Sequence, residues 1–249
     1  MWLIARLECY RLFISPLAWV LMALVQALLA YLFLTHIDYF SQVQGQIAAI
    51  PGAPGVTELV ITPLMGNMAL ILLLVTPFIT MRSFAEERRN ESLTLLMTAP
   101  LSITQIVLGK YFGLLIFFGL LLLMLMLMPL SMLLGSPIDL NLVMAGCIGL
   151  LLLLSSMIAI GIFMSALTAH PIIAAVSSFA VLLLLWIIDW VGHNGAVSSN
   201  LFSWLSLINH FEPLLRGEVF SADIIYYLLI TSAFLLMSVR KLDGMRVAS

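Results

Sequence analysis

Long apolar runs alternate with short polar segments along this chain. Residues 12–37, 59–81, 111–138 and 140–188 contain no Asp, Glu, Lys or Arg. A helix needs about 20 residues to cross the hydrocarbon core of a bilayer. Each run is therefore long enough for one crossing, and 140–188 is long enough for two. Ala169-His170-Pro171 divides that last run, because proline disfavours helical geometry at the residue before it. The pattern predicts an all-α membrane protein of one domain over 1–249. Its six spans are placed at about 17–36, 59–81, 108–133, 142–167, 171–190 and 222–239. Pro16 suits the first turn of the first span. Pro63 lies near the start of the second, and Pro77 predicts a kink near its end.

The segments between the spans carry weaker patterns. At 2–15, Leu3, Leu7, Tyr10 and Ile14 recur on one helical face, with Glu8 roughly opposite and Arg6 and Arg11 on the flanks. This predicts an interfacial elbow helix whose arginines snorkel to headgroups. Residues 37–58, with Asp38 and the breaker Pro51-Gly52-Ala53-Pro54-Gly55, read as a loop holding at most a short helix. Residues 191–222 form a second polar segment, amphipathic enough over Trp204–Phe220 for short interfacial helices. Tyr226-Tyr227 at one end of the last span and Arg240-Lys241 at the other read as interfacial anchors.

Composition agrees with the pattern: 63% of the 249 residues are hydrophobic and 9% charged, against about 25% charged in soluble domains. Cys9 and Cys147 have neither disulfide nor metal spacing and read as packing residues. Placing Arg6 and Arg11 inside puts 82–107, 168–171 and 240–249 inside as well. Nine of the ten basic residues then face the cytoplasm, with Arg216 alone outside. By the positive-inside rule both termini are cytoplasmic.

The densest charge lies in Arg82-Ser83-Phe84-Ala85-Glu86-Glu87-Arg88-Arg89-Asn90-Glu91, on that same side. No ionisable side chain falls near the middle of a span; Lys110 and Asp189 lie at span ends. Ion-coupled transporters place such groups at membrane depth, so this argues against ion-driven transport. No Gly-x-x-x-x-Gly-Lys-Ser/Thr loop is present to bind ATP, and no nucleophile–base constellation is visible. His36, His193 and His210 are scattered, and the methionines of 124–132 read as gap fillers. Small residues recur four apart at Ala145 and Gly149, Ser155 and Ala159, then Gly161, Ser165 and Ala169. That spacing permits close packing, within the chain or at a homodimer seam. Energy for any work must come from a partner on the inner surface, where Arg82–Ser102 is the only sizeable segment. By itself that segment reads as a solvated extension of the second span, with Arg82 and Glu86 paired at i,i+4.

Three blocks carry a resemblance: Met81–Arg89, then Leu93-Thr94-Leu95-Leu96-Met97-Thr98-Ala99-Pro100-Leu101-Ser102, then Val107-Leu108-Gly109-Lys110. Ser15-Pro16-Leu17-Ala18-Trp19, His210-Phe211-Glu212 and Arg216-Gly217 support them. The chain resembles permease subunits of ABC-2-type exporters, most closely the gliding-motility and nitrous-oxide-locus branch. The resemblance implies a coupling helix between spans two and three, seated in a cleft of a separate ATPase subunit. Arg82, Phe84, Glu86, Glu87, Arg88, Arg89 and Glu91 would then belong to the coupling segment, with Leu93, Leu96 and Met97 packing. Glu91 stands where that family commonly has glycine, and Thr94 where it commonly has an acidic residue.

The same resemblance implies a non-catalytic permease of the bacterial inner membrane that binds no cofactor, with ATP and Mg on the partner ATPase. It implies assembly as a homodimer, or as a heterodimer with a related permease, and no nucleic-acid partner. Glu212 and Arg216 are expected to pair after Pro213, and with His210 form the candidate outer gate. The alternative is a non-transporting anchor that passes ATP-driven motion to a periplasmic partner through 37–58 and 191–222.

Overall fold

The computed structural model describes residues 1–47, 55–92, 101–134, 136, 138–194 and 204–248. Among them there are helices and no strand. Helix α1 spans Trp2–Ile14 and α2 Pro16–Ile47, and a π turn at Thr57–Ile61 leads into α3, Thr62–Thr80. Then follow α4 (Ala85–Arg89), α5 (Ile103–Ser131), α6 (Leu140–Leu167), α7 (Pro171–Asn194), α8 (Leu207–Leu215) and α9 (Ser221–Ala248). Six helical stretches among the described residues are long and apolar enough to cross a membrane: Pro16–Gln46, Thr57–Arg89, Ile103–Ser131, Leu140–Leu167, Pro171–Ile188 and Ser221–Met245. They correspond one for one to the six expected spans.

Helix α6 is the axis of the bundle, packing against α3, α5, α7, α8 and α9. It is apolar all round, burying most of its surface in the bundle and leaving Met144, Ile148 and Leu151 exposed on one face. Its small residues make the close approaches. A Cβ on Gly149 would lie 3.0 Å from Leu214 Cβ of α8, and one on Gly161 would collide with Thr80 of α3. Ser155 Oγ is 3.2 Å from Thr231 Oγ1 of α9. The small-residue stripe is thus occupied within this chain. Asp139 caps α6, its carboxylate accepting the amides of Asn141 at 3.0 Å and Leu142 at 3.4 Å. The helix stops at Leu167, and α7 opens on Pro171, where the proline break was expected.

Three expectations are corrected. Helix α2 does not end near residue 36 but continues to Ile47. No proline interrupts it before Pro51, and Thr35 and Ser41 fold their hydroxyls back onto the carbonyls of Leu32 and Asp38. At 1.5 Å per residue the helix is roughly 48 Å long, longer than the ~30 Å hydrocarbon core. The breaker at Pro51–Pro54 falls outside the described residues. Next, Tyr226 and Tyr227 are not interfacial anchors. They are 1% and 0% exposed, and their hydroxyls donate to the carbonyls of Leu205 at 2.7 Å and Leu207 at 2.8 Å. A buried tyrosine needs such a partner, and the segment leading into α8 supplies it.

The third correction concerns α1. Leu3, Leu7, Tyr10 and Ile14 do share a face, and that face is exposed, while Glu8 points inward and is 8% exposed. Helix α1 lies against α5 because Gly109 and Gly113 leave room. A Cβ on Gly113 would come within 2.8 Å of the Ala5 carbonyl oxygen. Arg11, expected to snorkel, instead pairs with Glu86.

Helix α2 is the least enclosed span. Along it Val20, Leu24, Leu28 and Tyr31 are exposed, and a groove of about 670 Å³ separates it from α5, lined by Trp19, Met22, Phe33, Met124 and Met128. His36 Nε2 and Asn67 Nδ2, 3.1 Å apart, tie α2 to α3.

Candidate functional site: the charged junction

Helix α3 ends at Thr80, and the chain turns through Met81–Phe84, where the Ser83 amide donates to the Thr80 carbonyl. The first amides of a helix lack intrahelical acceptors, and α4 solves this with a residue from elsewhere. Ser165 Oγ of α6 accepts the amides of Phe84 and Ala85, each at 3.0 Å, and donates to the Met81 carbonyl at 2.9 Å. That exhausts one hydroxyl, which has one proton and two lone pairs. One residue on, the Arg88 guanidinium donates to the Ala166 carbonyl at 3.1 Å, at the electronegative end of α6. Helix α4 is therefore seated on the end of the central helix, with Phe84 fully buried beneath it.

A second anchor comes from α5. Lys110 is 2% exposed. Its ammonium lies 2.6 Å from Glu87 Oε1, 2.7 Å from the Ser83 carbonyl oxygen and 3.4 Å from Glu8 Oε2. Three donors thus meet three acceptors, and the Phe84 ring 5.0 Å away adds a cation–π contact. Arg11 of α1 completes the cluster, 3.2 Å from Glu86 Oε2 and 3.5 Å from Glu87 Oε1. Beside it lies a cavity of about 420 Å³ lined by Leu7, Glu8, Tyr10, Arg11, Glu87 and Lys110. Burial pushes the nearby Cys9 thiol up, which fits a packing role.

The segment is not a solvated extension of α3. The turn at Met81–Phe84 breaks the register between Arg82 and Glu86, so their i,i+4 pairing gives way to other partners. Arg82 Nη1 reaches Ser15 Oγ at 3.5 Å and Glu86 goes to Arg11. Of the residues expected at the coupling site, Arg82, Phe84, Glu86, Glu87 and Arg88 are engaged inside the chain. Arg89, Asn90, Glu91 and Ser92 are exposed, and Leu93, Leu96 and Met97 lie outside the described residues. Glu91 has φ 57, the left-handed region that favours glycine. It follows the C-cap Asn90, its amide bonds to the Arg88 carbonyl, and Ser92 Oγ donates to the Glu87 carbonyl. These bonds close the end of α4. The backbone at residue 91 is thus one that glycine would suit.

Sequence reasoning missed Glu8, Lys110 and Ser165 as parts of this junction. A carboxylate in an otherwise apolar elbow and a lysine just inside a span were the available signals. Ser165 had none beyond its small size.

At the other end of the bundle, α8 buries Leu207, Phe211 and Leu214 and exposes Glu212. The expected pair forms, Arg216 Nη2 lying 3.6 Å from Glu212 Oε2, both well exposed. His210 does not join it. Its Nδ1 lies 2.6 Å from Asp223 Oδ1 and its Nε2 3.0 Å from the Trp204 carbonyl oxygen, and its ring stacks on Tyr226 at 3.9 Å. This cluster fastens α8 to α9.

Among the described residues no group of His, Cys, Asp and Glu is arranged to hold a metal ion. A family model described as "ABC-2 family transporter protein" matches residues 42–239. No curated protein matches the chain.

Proposed function

The chain belongs to the ABC-2 family of transporter proteins, as the multi-pass permease subunit of an ABC transporter, and from that premise we propose that it drives export with ATP hydrolysed on a separate cytoplasmic subunit. Two permeases, this chain twice or this chain with a relative, enclose the pathway in the bacterial inner membrane. ATP and Mg are held by the two partner ATPases. Both termini and the charged junction face the cytoplasm, following the distribution of basic residues.

In this reading the dock is the segment Glu86–Met97. Arg89 and Glu91 make polar contacts with the ATPase, Glu86 lies at the edge, and Leu93, Leu96 and Met97 pack into its cleft. Arg82, Phe84, Glu87 and Arg88 act behind that surface and carry the motion inward. One observation supports this most: α4 is anchored to the end of α6 by Ser165 and Arg88, and to α5 by Lys110 and Glu87. A displacement of α4 must therefore carry the ends of α3, α5 and α6 with it, because packed interiors transmit strain rather than absorb it. The apolar spans favour a lipid-like, amphipathic or polymeric substrate over a small ion.

Co-expression with the cognate ATPase tests the reading. The wild-type chain should retain the ATPase through purification in mild detergent. Arg89→Glu combined with Leu96→Asp should release it while leaving the permease folded. Equal retention by both would remove the proposed dock.

The length of α2 favours a second reading of the same machine, in which no substrate crosses. A helix of 32 residues outruns the bilayer core and offers His36–Ile47 to an envelope partner as a lever. Reconstituted transport by the purified complex would exclude this second reading.

A further inference from the structure

We infer that Lys110 is a positioning residue that makes α1 part of the moving unit, so that the elbow travels with the dock rather than with the membrane surface. The inference rests on the reading of Glu86–Met97 as the dock, and it assigns Lys110, Glu8 and Arg11 a role beyond membrane anchoring.

The geometry is specific. Lys110 belongs to α5, and its three contacts lie on three other pieces of chain: Glu8 on α1, Ser83 in the turn and Glu87 on α4. Glu8 is 102 residues from Lys110 in sequence, and Glu87 is 23. The ammonium is thus the common point of α1, α4 and α5. Arg11 bridges α1 to α4 a second time, but its side chain is 44% exposed, and solvent weakens such a pair. Lys110 is enclosed, so breaking its contacts would strand buried charge. Movement of α4 away from α1 would do so. Glu87 Oε1 binds both cations, so Glu87 links α4 to α1 and α5 at once, beside the Glu86–Arg11 pair. Opposite these contacts, Leu3, Leu7, Tyr10 and Ile14 form the exposed apolar face of α1. Gly109 and Gly113 keep α1 in direct backbone contact with α5.

The test uses the full chain with its ATPase, in a Cys9→Ser, Cys147→Ser background. Spin labels are placed at Leu3→Cys on α1 and Leu167→Cys at the end of α6, both exposed positions. In the wild-type hub the distance between them should stay single and narrow, and be the same with ATP and Mg as with ADP. Lys110→Met alone leaves buried Glu8 without its cation and destabilises the fold, and the charge-balanced pair Glu8→Gln with Lys110→Met is therefore the deciding variant. It should stay folded with a lower thermal midpoint, because Glu87 and the Ser83 carbonyl lose the ammonium, and the distance should broaden and shift between nucleotides.

A distance in that double variant equal to wild type in both nucleotides overturns the inference, since Lys110 would then serve stability alone. So does a wild-type distance that already shifts with nucleotide, since α1 would then move independently. Failure of the wild-type chain to retain the ATPase overturns the functional reading instead. In that case the nucleotide-free distance still decides the tie: broadening in the double variant supports it, and an unchanged distribution removes it.

Discussion

The hydroxyl of Ser165 accepts the amide of Phe84 at 3.0 Å, joining residues 81 apart in the sequence. It also accepts the Ala85 amide and donates to the Met81 carbonyl. One side chain thereby caps α4 and closes the end of α3. In Ser165→Ala all three backbone groups lose their partner in a buried site. Leaving buried polar groups unpaired costs about 1–3 kcal/mol each, and relaxation recovers part of it. We expect Ser165→Ala to lower stability by about 2 kcal/mol, read as an earlier thermal midpoint in detergent. Ser165→Thr, which keeps the hydroxyl, should lose less.

Gly161 faces Thr80 so closely that any added Cβ must displace it. Overpacking of this kind costs about 1–3 kcal/mol. Gly161→Ala should therefore destabilise the chain, whereas Gly119→Ala on α5, where a Cβ meets nothing within 4 Å, should be neutral or slightly stabilising. Paired thermal melts check the contrast.

Glu91 holds a left-handed backbone with φ 57. Such a conformation costs a residue with a Cβ roughly 1 kcal/mol. Glu91→Gly should recover about that amount, less whatever the carboxylate contributes, and Glu91→Val should lose stability, since branching at Cβ worsens the clash. The order Gly, Glu, Val in melting temperature is the outcome to measure.

His210 is held on both ring nitrogens, by Asp223 and by the Trp204 carbonyl. Asp223→Ala frees the first contact and should cost about 2 kcal/mol. Limited proteolysis should then cut faster within 204–217, and adding His210→Ala should cost less than the two single losses summed, because both belong to one cluster.

Much of the architecture was legible in the sequence. The six spans, the break at Pro171, the amphipathic α8 and the Glu212–Arg216 pair all follow from local rules of length, proline geometry and helical spacing. The junction was legible only in part. The run Arg82–Glu91 marked its place, but which of its charges face inward depends on a turn at Met81–Phe84 that apolar periodicity does not encode. The same limit hid the burial of Glu8 against Lys110 and misplaced the two tyrosines. Helical spacing groups residues onto a face but does not say which neighbour that face meets, and here α5 supplies glycines and a lysine to receive the polar side of α1.

The sequence by itself determined that this is a six-span membrane protein with its charge gathered between spans two and three, because the hydrocarbon core penalises charge and the chain must group it outside that core. Only the tertiary structure decided what that charge does. Lys110 and Ser165 come from distant positions, 110 and 165, and contacts of that range arise when helices pack, satisfying buried ammonium, carboxylate and amide groups that no local segment could satisfy alone.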